Sequence, residues 1–260
     1  MSDSPAIRVA VDGGILWITI DRPRALNALD PAAHRAMDAA FDWLEADPVL
    51  RVGVVTGAGE RAFCVGSDLK ARAAVNADDH PATGFAGLTH RLDREKPVIA
   101  AVNGLALGGG VEIVAACDLA IAAAHAEFAL PEPRVGLAAI GGGGLQRLAR
   151  ALPLKHAMDL VLTGRRIGAE EAQRIGLVSR IAAPGTLLDE ARAMAEAIIA
   201  GAPLAIAASR AVMQDSLAMP DLAFALRASY PAIARMVASD DAIEGQAAFI
   251  EKRTPRWRGR

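Results

Sequence analysis

The sequence predicts an α/β chain in which strand–turn–helix units stack as a spiral, followed by a helical C-terminal segment. Three observations predict it. Short apolar runs of strand length, RVGVVT at 51–56 and PVIAAV at 97–102, each run into a glycine-containing stretch. The order strand, glycine turn, short strand or loop, helix recurs from Val52, from Val98 and again after Leu119, as stacked units require. From Thr186 onward the pattern is helical, broken at residues 201–203, at Pro220 and at Pro231. The expected division is a core over residues 1–200 and an amphipathic helical region over 201–260, a layer suited to packing on another subunit.

The elements follow in order. Residues 7–11 and 15–21, joined by Asp12-Gly13-Gly14, read as a β-hairpin. Asp30 before Pro31 is a helix N-cap followed by proline at the first helical position. Met37, Phe41 and Leu44 then recur at helical spacing. Residues 71–90 are polar and irregular and read as a loop or lid, with helix expected to resume over 87–92. Strands are expected at 97–102, 119–122 and 127–130. Gly141–Gly144 opens a helix; 154–167 is another, with its terminal glycine at Gly164; residues 169–176 carry acids in the first turn and glycine at the end.

Composition excludes several classes. The chain of 260 residues is 53% hydrophobic with a formal net charge of −2 and no long basic block, so nucleic acid and anionic membrane are poor partners. Cys64 and Cys117 lie in apolar contexts and read as reduced core residues. MSDSPAIRVA has no apolar signal core, and no long charge-free apolar stretch is present, so a cytoplasmic location is expected.

The chemistry concentrates between Asn103 and Glu132. Gly108, Gly109 and Gly110 strip side chains from one piece of backbone just before a helical run, VEIVAACDLAIA. Their N–H groups should sit at a helix N-terminus, where negative charge is favoured. Glu112 lies in that first turn and Glu132 twenty residues on, in FALPEPRVG. Taken singly, the glycines are a tight turn, Glu112 a residue compatible with the dipole and Glu132 a solvated loop acid. Together with a second loop, Val65-Gly66-Ser67, they suit proton transfer beside a carbonyl: the N–H groups of Ser67 and Gly109 on one oxygen, Glu112 and Glu132 as acid and base. GxSxG, GxGxxG and P-loop patterns are missing, and the five histidines have no metal spacing; His34 and His156 fit helix surfaces.

These residues resemble the crotonase, or enoyl-CoA hydratase/isomerase, superfamily along essentially the whole chain. The resemblance is carried by IDRPRALNAL, VVTGAGERAFCVGSDLK, KPVIAAVNGLALGGGVEIVAACD, FALPEPRVGL, LTGRRIGAEEAQRIGLV and DDAIEGQAAFIEKR. It implies a crotonase-like spiral of ββα units with a C-terminal helical trimerisation region, assembled as a trimer or dimer of trimers. Ser67 and Gly109 then match the oxyanion donors, Glu112 the residue that activates water and Glu132 the proton donor to the α carbon. The resemblance places coenzyme A against Val65, Ser67, Asp68 and Leu69, with Arg24 and Lys70 near its phosphates. Phe249 and Lys252 match tail residues that reach the coenzyme of a neighbouring subunit.

The activity implied is hydration of a trans-2-enoyl-CoA, with the substrate carried as a thioester and neither metal nor redox cofactor needed. Carnitinyl-CoA dehydratase and enoyl-CoA isomerase are the alternatives. Residues 135–148, VGLAAIGGGGLQRL, lack the family's usual proline and carry one extra residue, at a loop bordering the acyl pocket. Removing the tail after Ala238 is expected to weaken coenzyme A binding and assembly; light scattering showing an unaltered oligomer would contradict this.

Overall fold

The structure is a computed structural model and describes residues 5–68 and 80–260. Among the described residues, ten strands form two sheets. The larger has the order β1 (Ile7–Asp12), β2 (Ile15–Ile20), β3 (Val52–Gly57), β5 (Val98–Val102), β7 (Leu119–Ala123), β10 (Arg180–Ala182). The smaller has the order β4 (Ala62–Cys64), β6 (Leu105–Leu107), β8 (Glu127–Ala129), β9 (Ile167–Gly168). Three successive pairs, β3/β4, β5/β6 and β7/β8, each give one strand to either sheet, which is the predicted repeat. Beyond the antiparallel β1–β2 hairpin the larger sheet is parallel.

A parallel sheet is buried on both faces, so its strands read as continuous apolar runs. Every residue of β3 and β5 is buried. Alternation still sorts them. Val54 and Ile99 join Ala191, Met194 and Ala195 of α6 (Leu187–Ile199) on one face. Val55 and Ala100 join Met37, Phe41 and Leu44 of α1 (Pro31–Ala46) and Val111 and Ile113 of α2 (Gly109–Ala116) on the other. Asp30 caps α1 as the sequence predicts, its carboxylate accepting the Ala33 N–H at 2.8 Å. The remaining helices are α3 (Gly144–Ala151), α4 (Leu154–Thr163), α5 (Ala169–Ile175), α7 (Pro203–Ser216), α8 (Leu222–Arg227), α9 (Pro231–Val237) and α10 (Asp240–Glu251).

Two expectations need correction. Helix does not resume over 87–92; a single 3-10 turn, Phe85–Gly87, stands there instead. Ala86 holds a left-handed backbone (φ 56°), which breaks any helical run. α4 stops at Thr163, because Gly164 is left-handed and closes it. Of the loop or lid predicted over 71–90, residues 71–79 lie outside the described residues. Among the described residues no single helix is long and apolar enough to cross a membrane.

Asp118, at the entry to β7, ties three elements together. It accepts the Val98 N–H at 2.8 Å, Arg94 Nη1 at 2.5 Å and, from α7, Arg210 Nε at 2.8 Å. Burial alone pushes this carboxyl up, but Arg94 first and Arg210 after it outweigh burial and hold it below the usual range. A depressed carboxylate stabilises the fold above its unfolded pKa and loses that contribution as pH falls through the folded one. Asp118→Ala is expected to cost about 3–5 kcal/mol in urea denaturation, because Arg94 is left buried without its charge partner; an unchanged midpoint would contradict it.

Candidate active site

The two loops foreseen as oxyanion donors meet. Both follow strands of the smaller sheet, β4 and β6, which pair in parallel. Ser67 bridges Leu29: the Leu29 N–H donates to Gly66 C=O at 2.9 Å and the Asp68 N–H donates to Leu29 C=O at 2.8 Å. In a parallel bridge the flanking groups make those bonds, so the Ser67 N–H faces the other way. Among the described residues it has no acceptor, and neither has the Gly109 N–H at the first position of α2. Gly66 abuts the latter: a Cβ there would lie 3.3 Å from Gly109 N. Arg22 holds the first loop in place, pairing with Asp68 at 3.0 Å and Asp30 at 2.8 Å.

Gly108 is the N-cap of α2 with φ 53°, which side chains disfavour, and a Cβ on it would sit 2.6 Å from Glu132 Oε1. That close approach puts the Glu132 carboxylate directly beside the helix N-terminus. A Cβ on Gly109 would collide with the Phe85 ring, which therefore covers the donor amide from one side. Phe85 is itself held from α1: buried His34 accepts the Ala86 N–H on Nδ1 at 3.0 Å.

The two glutamates occupy different environments. Glu112 is 4% exposed, and its Oε1 accepts two N–H groups, from Gly142 and Gly144, at 2.9 Å each. Two such donors orient the carboxylate. Glu132 is half-buried, and among the described residues its Oε2 has no hydrogen-bond partner. Burial pushes its pKa up, a bond from its own backbone partly opposes this, and the Glu112 charge adds a smaller upward push. One acid is thus fixed as an acceptor and its neighbour is biased toward holding a proton, the arrangement that acid–base chemistry at adjacent carbons requires.

Residues 10–260 match the sequence model of the enoyl-CoA hydratase/isomerase family. The chain belongs to this family. It is 46% identical to the carnitinyl-CoA dehydratase of Salmonella arizonae, over 98% of this chain and 99% of that protein. It is 45% identical to the carnitinyl-CoA dehydratase of Escherichia coli K12, over 99% and 100% of the two chains. Among solved structures, an enoyl-CoA hydratase of Mycobacterium marinum superposes with a TM-score of 0.93 at 43% identity, over 99% of this chain and 100% of that one.

The other expected residues are distributed as follows. Val65, Ser67 and Asp68 line the first loop, half-buried; Leu69 and Lys70 lie outside the described residues. Arg24 is exposed on the turn Pro23–Ala25. Phe249, 86% exposed, and Lys252, the left-handed cap of α10, sit on the C-terminal helix and make no bond to the Val65–Asp68 loop among the described residues. Four contributing residues escaped the sequence reading. Phe85 lay in the segment read as irregular, though an aromatic residue between Gly84 and Gly87 was the available signal. His34, read as a surface residue, is 2% exposed. Gly142 and Gly144, read as a helix start, are ligands of Glu112.

Because the Glu112 charge helps raise Glu132, neutralising it removes that penalty. Glu112→Gln should move the Glu132 midpoint downward in a 13C carboxyl NMR titration; an unchanged or raised midpoint would contradict the coupling.

Proposed function

We propose that the chain is a hydro-lyase that reversibly adds water across the 2,3 double bond of a 2-enoyl-CoA thioester. The observation that carries this reading is the split environment of Glu112 and Glu132 beside two acceptor-free amides. In hydration, Glu112 accepts a proton from water as its oxygen bonds to C3. The C2=C3 electrons move toward the thioester, and charge collects on its oxygen against the Ser67 and Gly109 N–H groups. Glu132 then gives its proton to C2, and the thioester carbonyl reforms. Water supplies both the hydroxyl and, by way of the carboxylates, the net proton. Acid and base are side chains, so the reaction calls on no metal or redox group.

The acyl group we favour is that of carnitinyl-CoA, with crotonobetainyl-CoA as its dehydrated partner. Full-length identity of 44–46% to curated carnitinyl-CoA dehydratases supports it over the simple trans-2-enoyl-CoA that the sequence first suggests. Hydration of an unsubstituted enoyl chain is the second reading, supported by the likeness to structures of enoyl-CoA hydratases at 42–43% identity. The main chain at Val65–Asp68, with Arg24, Leu69 and Lys70, is proposed to hold coenzyme A, and Phe249 and Lys252 to reach it from a second copy in a trimer or dimer of trimers.

Loss of the enoyl absorbance with crotonyl-CoA and crotonobetainyl-CoA tests both readings. Faster turnover of the betaine is expected; turnover of neither would overturn the proposal. Glu112→Gln and Glu132→Gln should each lower kcat by roughly 10²–10⁴-fold with coenzyme A affinity little changed, and near-normal turnover in both would remove them from the chemistry.

A further inference from the structure

Arg147 of α3 has no place in the proposed reaction, yet it joins the two loops that frame the site. Its Nη1 donates to the Gly142 C=O at 2.9 Å, and its Nη2 donates to the Thr89 C=O. Gly142 is one of the two residues whose N–H groups hold Glu112 Oε1. Thr89 closes the turn that begins at Gly84 and carries Phe85 over Gly109, its own N–H donating to Phe85 C=O at 3.2 Å. The loop that orients Glu112 is therefore fastened, through one planar guanidinium, to the turn that covers the donor glycine.

The fastening is needed because the loop is otherwise slack. Residues 141–144 are four consecutive glycines, the most flexible backbone available. The main-chain bonds that close the segment are Ile140 N–H to Ala138 C=O at 2.9 Å, Gly143 N–H to Ile140 C=O at 3.3 Å, Leu145 N–H to Ala139 C=O at 3.2 Å and Arg147 N–H to Gly143 C=O at 3.0 Å. The Gly143 N–H belongs to the same peptide as the Gly142 C=O, so that long 3.3 Å bond is its main-chain anchor, and Arg147 adds the shorter one at 2.9 Å. A lysine ammonium keeps the charge but lacks the rigid fork that spans two carbonyls.

We propose that Arg147 is a positioning residue: by bridging Gly142 and Thr89 it fixes the glycine loop so that Glu112 is aimed at the attacking water. The inference rests on the hydro-lyase reading. It separates two half-reactions. Water addition uses Glu112, whereas exchange of the α proton of a saturated acyl-CoA with solvent uses Glu132 and the two amides.

The test compares wild type, Arg147→Lys and Arg147→Ala in both assays, with melting curves for each protein. Both variants are expected to hydrate roughly 10²-fold more slowly, with KM and the α-proton exchange rate within about twofold. Millimolar guanidinium, but not methylammonium, should restore hydration to Arg147→Ala. Near-wild-type hydration in Arg147→Lys would overturn the inference. So would a parallel fall of hydration and exchange that follows the folded fraction, which marks a merely structural residue. If Arg147→Ala does not fold, the lysine variant alone decides on the same criteria. A wild type that turns over neither acyl-CoA defeats the hydro-lyase reading instead, so the two failures are distinct.

Discussion

The site depends on one constraint: among the described residues, two main-chain amides are left without acceptors where two loops meet. Ser67 loses its partner because its neighbours satisfy Leu29, and Gly109 because it begins a helix. Buried N–H groups are ordinarily paired, and leaving them open is costly. The fold sustains that cost by packing both loops tightly. Gly66 abuts Gly109 N, Phe85 lies on Gly109, and a Cβ on Gly110 would collide with the Cys64 carbonyl. Such rigidity is what makes fixed dipoles effective, since they need not reorganise as charge develops.

The carboxylates extend the same economy. Glu112 receives two amides from a glycine loop and Glu132 receives none on Oε2. Identical side chains thereby acquire different settings, one oriented by two donors and one biased by burial toward holding its proton. The ββα repeat accounts for why these pieces meet. β4, β6 and β8 lie side by side in one small sheet, so the residues that follow them, Ser67, Gly109 and Glu132, emerge together.

How much of this was legible in the sequence follows from how local each signal is. Asp30-Pro31 announces α1 within two residues, and Gly108–Gly110 followed by an apolar run announces a bare helix N-terminus. Both glutamates were found because they follow those glycines, Glu112 in the first turn and Glu132 twenty residues on. What escaped was non-local. The Phe85 turn is held by His34, fifty-two positions away, and Thr89 by Arg147, fifty-eight away. Helical spacing cannot reveal that the His34 face of α1 is covered, because its cover is an irregular turn with no periodicity of its own. The GGGG stretch was visible as a helix start, but its N–H groups turn toward Glu112 only in three dimensions.

The central claim is that the amides of Ser67 and Gly109 converge on the thioester oxygen. Difference vibrational spectroscopy of a bound, carbonyl-labelled acyl-CoA tests it most directly. Convergent donors polarise the carbonyl, so its stretch should fall to lower frequency than in the free thioester. A bound thioester whose carbonyl stretch stays at the free value would contradict the account.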